Sequence, residues 1–210
     1  HDDAVPTFRY KRLIEERLIK SAVPHTIFRG SLFMDDWFAL IGSSIPLRGA
    51  EVATLRRPFW FSRAFMRGAG HLIENHGVAL IPGSGRTRHA FIALDDVADF
   101  LVKAVDRPDA LNKTFQIGGP QVLTWDEVVA LFGRLLGKPV RALHAPAGVF
   151  RMQQMLLSPI SPAAGNLMGM NWVVATTDTA FDMSALAPAF GITLTTSEEF
   201  LRRKLELAGD

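Results

Sequence analysis

The sequence predicts an α/β domain whose short apolar strands alternate with amphipathic helices. Three observations carry this prediction. Residues 7–21 hold apolar side chains at helical spacing and run directly into the apolar stretch HTIFRG. The same order recurs, with further apolar runs at 78–81, 88–94, 114–119 and 139–144, each separated from the next by turn residues or a helical pattern. Two Thr-x-x-Glu capping boxes, Thr124–Glu127 and Thr196–Glu199, mark helix starts by pairing a hydroxyl and a carboxylate with the free amides there.

The elements follow in order. In 7–21, Tyr10, Leu13, Ile14 and Leu18 form one stripe, and Lys11/Glu15, Arg12/Glu16 and Glu16/Lys20 are opposite charges four apart. Pro24 stops the helix, and 25–30 is a strand broken by Gly30. The aromatic-rich SLFMDDWFALIG (31–42) starts a loop or helix. Residues 43–70 have Pro46, Pro58, five arginines and Phe59-Trp60-Phe61, and read as a lid or insertion. A helix closes at Gly77, with strand 78–81 and a tight turn at 83–85 after it. Gly83-Ser84-Gly85, lying between two strands, predicts a hairpin onto strand 88–94. Asp96 is expected to cap a helix over 96–106. Strands 25–30 and 114–117 are expected to be parallel and buried. Helices follow at 125–136, through 147–175 with breaks near Pro159 and Pro162, and at 197–207.

Composition narrows the function classes. The 210 residues are 48% hydrophobic and 21% charged, as in a folded globular protein. With no cysteine, disulfides, thiolate metal sites and a cysteine nucleophile are excluded. Six histidines show no HExxH and no pair four apart, so no metal site is expected. A net charge of +2 gives no general signal for nucleic acid. Basic and aromatic residues are interleaved at 48–67, however. Such a patch suits a lid over an apolar substrate, a surface helix anchored by Trp60, single-stranded nucleic acid, or an anionic membrane surface. The lid or the plain surface helix is the preferred reading. No apolar run reaches the roughly 18 residues of a membrane span. The opening HDDAVPTFRYKR does not read as a signal peptide, so a cytoplasmic location is expected.

Lys11 stands out because a cation early in a helix opposes the helix dipole. It is either a solvated partner of Glu15 or a group that holds a ribose hydroxyl or phosphate. Met152, Met155, Met168 and Met170 with Trp172 suit either a core or an adaptable apolar pocket.

FRYKRLIEERLIKSAVPHTIFR (8–29) resembles the NmrA-like branch of the atypical short-chain dehydrogenase/reductases. PGSGRTRHAFIALDDVADFL is similar to that group's G-x-G-x-x-R-x-x-F-I-x-V-x-D-V-A segment. NKTFQIGGPQVLTWDEVVALFGRLLGKPV and LAPAFGITLTTSEEFL resemble its later strand–helix and closing segments. The resemblance implies the C-terminal half of a Rossmann-type NAD(P)-binding fold. It would form a single domain across 1–210, with a smaller substrate lobe at about 34–93 and 139–185. It also implies an oxidoreductase acting on a small, mostly apolar substrate with NAD or NADP, NADP being favoured. Lys11 matches the lysine that binds the nicotinamide ribose and relays protons, which makes it the catalytic and cofactor-binding candidate. Arg29, Gly30, Ser31, Leu32 and Phe33 match the loop that passes the nicotinamide. Phe33, Trp37, Phe38 and Arg88 are the substrate candidates.

Three departures from the family pattern qualify this. The position four before Lys11, where many members carry a tyrosine acid, is Thr7, and Tyr10 points about 100° away from Lys11 on a helix. Gly30 stands where a proline usually follows the arginine, and would allow positive φ or close backbone approach. No glycine spacing gives the G-x-x-G-x-x-G pyrophosphate loop, so the dinucleotide half is expected to lie outside these residues, leaving apolar strand edges that favour self-association. A non-catalytic regulator that senses a dinucleotide or binds a protein is the alternative.

Overall fold

The structure, a computed structural model, describes residues 4–49 and 60–207, with nothing to be said of the Phe61 side chain. Arg56, Arg57, Pro58 and Phe59 of the expected lid lie outside the described residues. The chain order is α1 (Pro6–Lys20), β1 (Thr26–Gly30), α2 (Met34–Leu40), α3 (Trp60–Ala69), α4 (Leu72–His76), β2 (Val78–Pro82) and β3 (Arg88–His89). It continues with α5 (Leu94–Ala104), β4 (Lys113–Ile117), β5 (Leu123–Thr124), α6 (Trp125–Leu136), β6 (Arg141–Ala145), α7 (Ala147–Leu157), α8 (Pro162–Thr176), α9 (Leu186–Ala189) and α10 (Ser197–Glu206).

Three pairings organise the strands. β1 and β4 run parallel, with Thr26 opposite Lys113 and Gly30 opposite Ile117. β2 and β6 run parallel, Val78 opposite Arg141. β3 and β5 pair antiparallel through Arg88–Thr124 and His89–Leu123. The expected β1–β4 pairing is present, but these strands are not buried throughout: Arg29 and Gly30 are exposed, and so are Lys113, Thr114 and Gln116.

The hairpin expected at Gly83–Gly85 is not formed. β2 pairs with β6, and β3 with β5, so the two strands flanking the turn belong to different ladders. Gly83 and Gly85 do adopt positive φ, at 72° and 76°, in a turn between ladders. The expected strand 88–94 shortens to two residues, with an isolated bridge from Phe33 to Ile92 beyond it.

Helix ends follow side-chain chemistry. Both capping boxes form: Thr124 accepts from the Glu127 amide and Thr196 from the Glu199 amide, and each glutamate accepts from its own cap amide. Asp96 does not cap α5. It is buried, with Oδ2 accepting from the Thr195 amide at 2.8 Å and Oδ1 from the Thr195 hydroxyl at 2.9 Å. The start of α5 is instead met by Asp35 of α2, whose Oδ2 accepts from the Leu94 amide at 3.1 Å. Burial raises the carboxyl pKa of both aspartates, against the lowering effect of these hydrogen bonds.

Two apolar clusters hold the elements together. One gathers Met34, Phe38, Ile81, Phe91, Trp125 and Phe132 among α2, β2 and α6. The other gathers Ile92, Phe100, Ile117, Met183 and Phe190, with Phe28 and Phe115 against it, below β1 and β4. Each fully buried aromatic here contributes about 2–3 kcal/mol through area removed from water.

Candidate functional site at the carboxyl ends of the strands

In parallel α/β folds, ligands bind outside the carboxyl ends of the strands. Here β1 and β4 finish side by side at Gly30 and Ile117, and the Ser31 amide donates to the Ile117 carbonyl at 2.9 Å. Beyond them, Gly30–Phe33 runs along Ala90–Ile92. The Ile92 amide donates to Leu32 O at 3.0 Å and the Met34 amide to Ile92 O at 2.9 Å. Gly118 and Gly119 allow this crossing: a Cβ on Gly119 would lie 1.8 Å from the Phe91 carbonyl oxygen. Gly30 is not at positive φ. Its role is close approach, since a Cβ there would sit 3.0 Å from the Phe33 ring.

The crossing brings Ser31 to a buried imidazole. Ser31 Oγ lies 3.2 Å from Thr179 Oγ1, which lies 2.8 Å from His89 Nδ1; His89 Nε2 lies 3.1 Å from Thr87 Oγ1, which donates to the Val174 carbonyl at 3.0 Å. The direction of this chain follows from proton counting. The one hydroxyl proton of Thr87 goes to Val174, so Thr87 accepts from His89 Nε2–H. Nδ1 is then an acceptor and takes the Thr179 proton, and Thr179 accepts from Ser31. Ser31 therefore keeps only lone pairs for a ligand. His89 is fully buried against Phe91 and Trp125, and this burial lowers its pKa from 6.5 to about 4, outweighing the nearby Asp178 charge. It is a neutral group at ordinary pH.

Lys11 is exposed on α1. The expected Lys11–Glu15 pair is replaced: Glu15 accepts from Arg29 Nε at 2.9 Å and from an Arg29 terminal nitrogen at 2.6 Å, tying α1 to β1. Lys11 makes no ion pair among the described residues. The Arg29 guanidinium is thus committed to α1. Arg88 and His89 are strand neighbours and face opposite ways, which leaves Arg88 in solvent away from Ser31.

Phe33 leads into α2, and one turn on Trp37 walls an aromatic cavity of about 210 Å³ with Phe65, Trp125, Leu143, Phe150 and Met168. The Nε1 of Trp125 is buried and finds no acceptor among the described residues. Phe38 does not reach this cavity. It is fully buried between the rings of Phe91, Phe132 and Phe200, so its place is the core. A wider, more open depression of about 790 Å³ lies between Pro120 and Leu194, lined by Phe181, Met183 and Ile192. None of the nine site residues chosen from sequence lines it. His89, Thr179 and Thr87 were missed in the sequence. A histidine within the apolar run 88–94 was the available signal, but nothing local links it to Ser31.

The sequence profile of the NmrA-like family matches residues 1–201. Phenylcoumaran benzylic ether reductase of Nicotiana tabacum is 35% identical over 78 residues, covering 37% of this chain and 25% of that protein. An isoflavone reductase homolog of Nicotiana glauca is 30% identical over 89 residues, covering 40% of this chain and 29% of that protein. Among solved structures, an NADPH-dependent quinone oxidoreductase of Escherichia coli, complexed with NADPH, superposes with a TM-score of 0.67 at 18% identity, over 98% of this chain and 63% of that one. The two plant matches thus span less than a third of those proteins, and the structural likeness establishes a Rossmann-type α/β fold.

Proposed function

The chain belongs to the NmrA-like family, and from that premise we propose that it is the substrate-side part of an NAD(P)H-dependent reductase. The observation that carries the reading is the Gly30–Phe33 loop, lying at the carboxyl ends of β1 and β4 and leading one turn later to Trp37 in an aromatic cavity. The residues present fit the nicotinamide end of the cofactor. Ser31 offers an acceptor with fixed polarity, suited to an amide or hydroxyl donor, and Lys11 is an exposed lysine on α1, one turn before the Glu15 that pairs with Arg29 of β1. The cofactor, when bound, supplies hydride.

The chain's own residues would do the rest. Gly30 and Ser31 would hold the ring by backbone approach and a hydrogen bond. Lys11 would hold a ribose hydroxyl and donate a proton towards the reduced oxygen. The cavity would take a flat, largely apolar substrate between its aromatic walls. The tobacco phenylcoumaran benzylic ether reductase and the E. coli quinone oxidoreductase are named for ring-bearing substrates consistent with such a cavity. NADPH is favoured over NADH by the complexes of structural neighbours.

The test is steady-state NADPH oxidation against aldehydes, ketones, quinones and aryl ethers, with Lys11→Ala as control. Turnover with one class, abolished in the variant, supports the reading. Cofactor binding with no turnover on any class favours a dinucleotide-sensing regulator, to which the absence of a tyrosine at Thr7 also points.

A further inference from the structure

The helix that carries Lys11 is not placed by core packing. None of the 15 residues of α1 is fully buried. Its position falls to polar contacts at defined points, and two of these bracket Lys11. At one, the Arg29 guanidinium of β1 binds Glu15. At the other, the Thr7 amide donates to Asn166 Oδ1 of α8 at 3.0 Å. Residues 7, 11 and 15 are spaced by four, so Lys11 stands one turn from each anchor along the same stripe of α1.

The anchor at the helix start involves several groups. Free amides there need acceptors, and Asn166 supplies one from another element. Val5, just before α1, is fully buried. The buried Gln154 of α7 donates from Nε2 to the Ala4 carbonyl at 2.5 Å. Its Oε1 accepts from Arg151 Nη1 at 2.6 Å, which fixes the end of the amide that faces Ala4. The Arg151 guanidinium in turn lies 5.0 Å over the Trp172 ring of α8. Gly169 makes the room: a Cβ there would lie 2.5 Å from Gln154 Nε2 and 3.2 Å from Val5 Cγ2. The same two helices wall the aromatic cavity. Phe150 is one turn before Gln154 on α7, and Leu167 and Met168 directly follow Asn166 on α8. One helical hairpin thus holds both a wall of the cavity and the start of the lysine helix.

We propose that Asn166 and Gln154 are positioning residues for the reduction: they hold the start of α1 so that Lys11 keeps a fixed place relative to the cavity. This rests on the reductase reading, in which Lys11 meets cofactor and substrate. A misplacement of about 1 Å in such a group costs up to about a hundredfold in rate, so the loss of one of two anchors is visible in turnover.

The test is a double-mutant cycle. Asn166→Leu removes the acceptor at similar size, and Asn166→Asp keeps it. Turnover should fall about tenfold in Asn166→Leu and stay within about twofold of wild type in Asn166→Asp. Gln154→Glu, which sets an acceptor against the Ala4 carbonyl, should repeat the loss. In the Lys11→Ala background either damaging variant should change turnover by less than about twofold, because each acts through the missing side chain. Additive losses, the mark of a merely structural role, overturn the proposal.

A second readout needs no cofactor. The chain has no cysteine, so spin labels at Lys11→Cys and at the exposed Arg88→Cys report one distance by pulsed electron paramagnetic resonance. The distance distribution should broaden or shift with Asn166→Leu and recover with Asn166→Asp. An unchanged distribution overturns the proposal whatever the turnover. A distribution that responds in a protein with no turnover on any substrate defeats the reductase reading itself, and the positioning role falls with it.

Discussion

Replacing His89 with asparagine tests whether burial keeps this imidazole neutral. Asparagine Oδ1 can take the place of Nδ1 and accept from Thr179, but the side chain does not titrate. Burial holds the wild-type pKa near 4, against 6.5 for an ordinary histidine. Between these values the unfolded chain binds a proton that the folded chain refuses. Stability is therefore present above 6.5 and is lost as pH falls towards 4. At about 1.36 kcal/mol per pK unit, His89 removes about 2 kcal/mol between roughly pH 7 and pH 4.5. Asp35 and Asp96 act in the opposite sense over the acid range, since their raised pKa values make the folded state the better proton binder. The comparison that cancels them is wild type minus His89→Asn, from urea unfolding at each pH. That difference should shift in favour of the variant by about 2 kcal/mol on acidification. A constant difference, or a His89 ring that titrates near 6.5 by NMR, would refute the burial argument.

Other outcomes follow from the same geometry. Lys11→Ala should leave stability within about 0.5 kcal/mol, because the side chain is exposed and unpaired among the described residues, and should lower turnover about a hundredfold or more; unchanged turnover removes its assigned role. Asp96→Ala should cost about 3–5 kcal/mol by deleting two hydrogen bonds to a buried carboxylate, readable as a fall in Tm. Gly119→Ala should cost on the order of 3 kcal/mol or prevent folding, since its Cβ meets the Phe91 carbonyl oxygen, and a normal melt would contradict the crossing of the two segments.

What was legible in the sequence was local. The two capping boxes needed only residues three apart, and both form. The parallel β1–β4 pair followed from two apolar runs separated by helical patterns. What failed depended on distant partners. Gly-Ser-Gly between two apolar runs reads as a hairpin, yet β2 finds β6 across the intervening chain. Asp96 at a helix start reads as a cap, but its partner Thr195 lies 99 residues away, and the helix begins two residues earlier, at Leu94, whose amide donates to Asp35. Phe38, next to Trp37, was placed with it at the substrate, but the helix turns it into the core. The link from Ser31 to His89 runs through Thr179, 148 residues from Ser31, so no local pattern could reveal it.

The most direct test of the central claim is a fluorescence titration of NADPH with the full protein and with Ser31→Ala. The account predicts saturable binding by the wild type and binding weakened about five- to tenfold in the variant, the loss of one well-placed hydrogen bond. No binding by the wild type, or identical binding by both, would contradict the placement of the nicotinamide beside the Gly30–Phe33 loop.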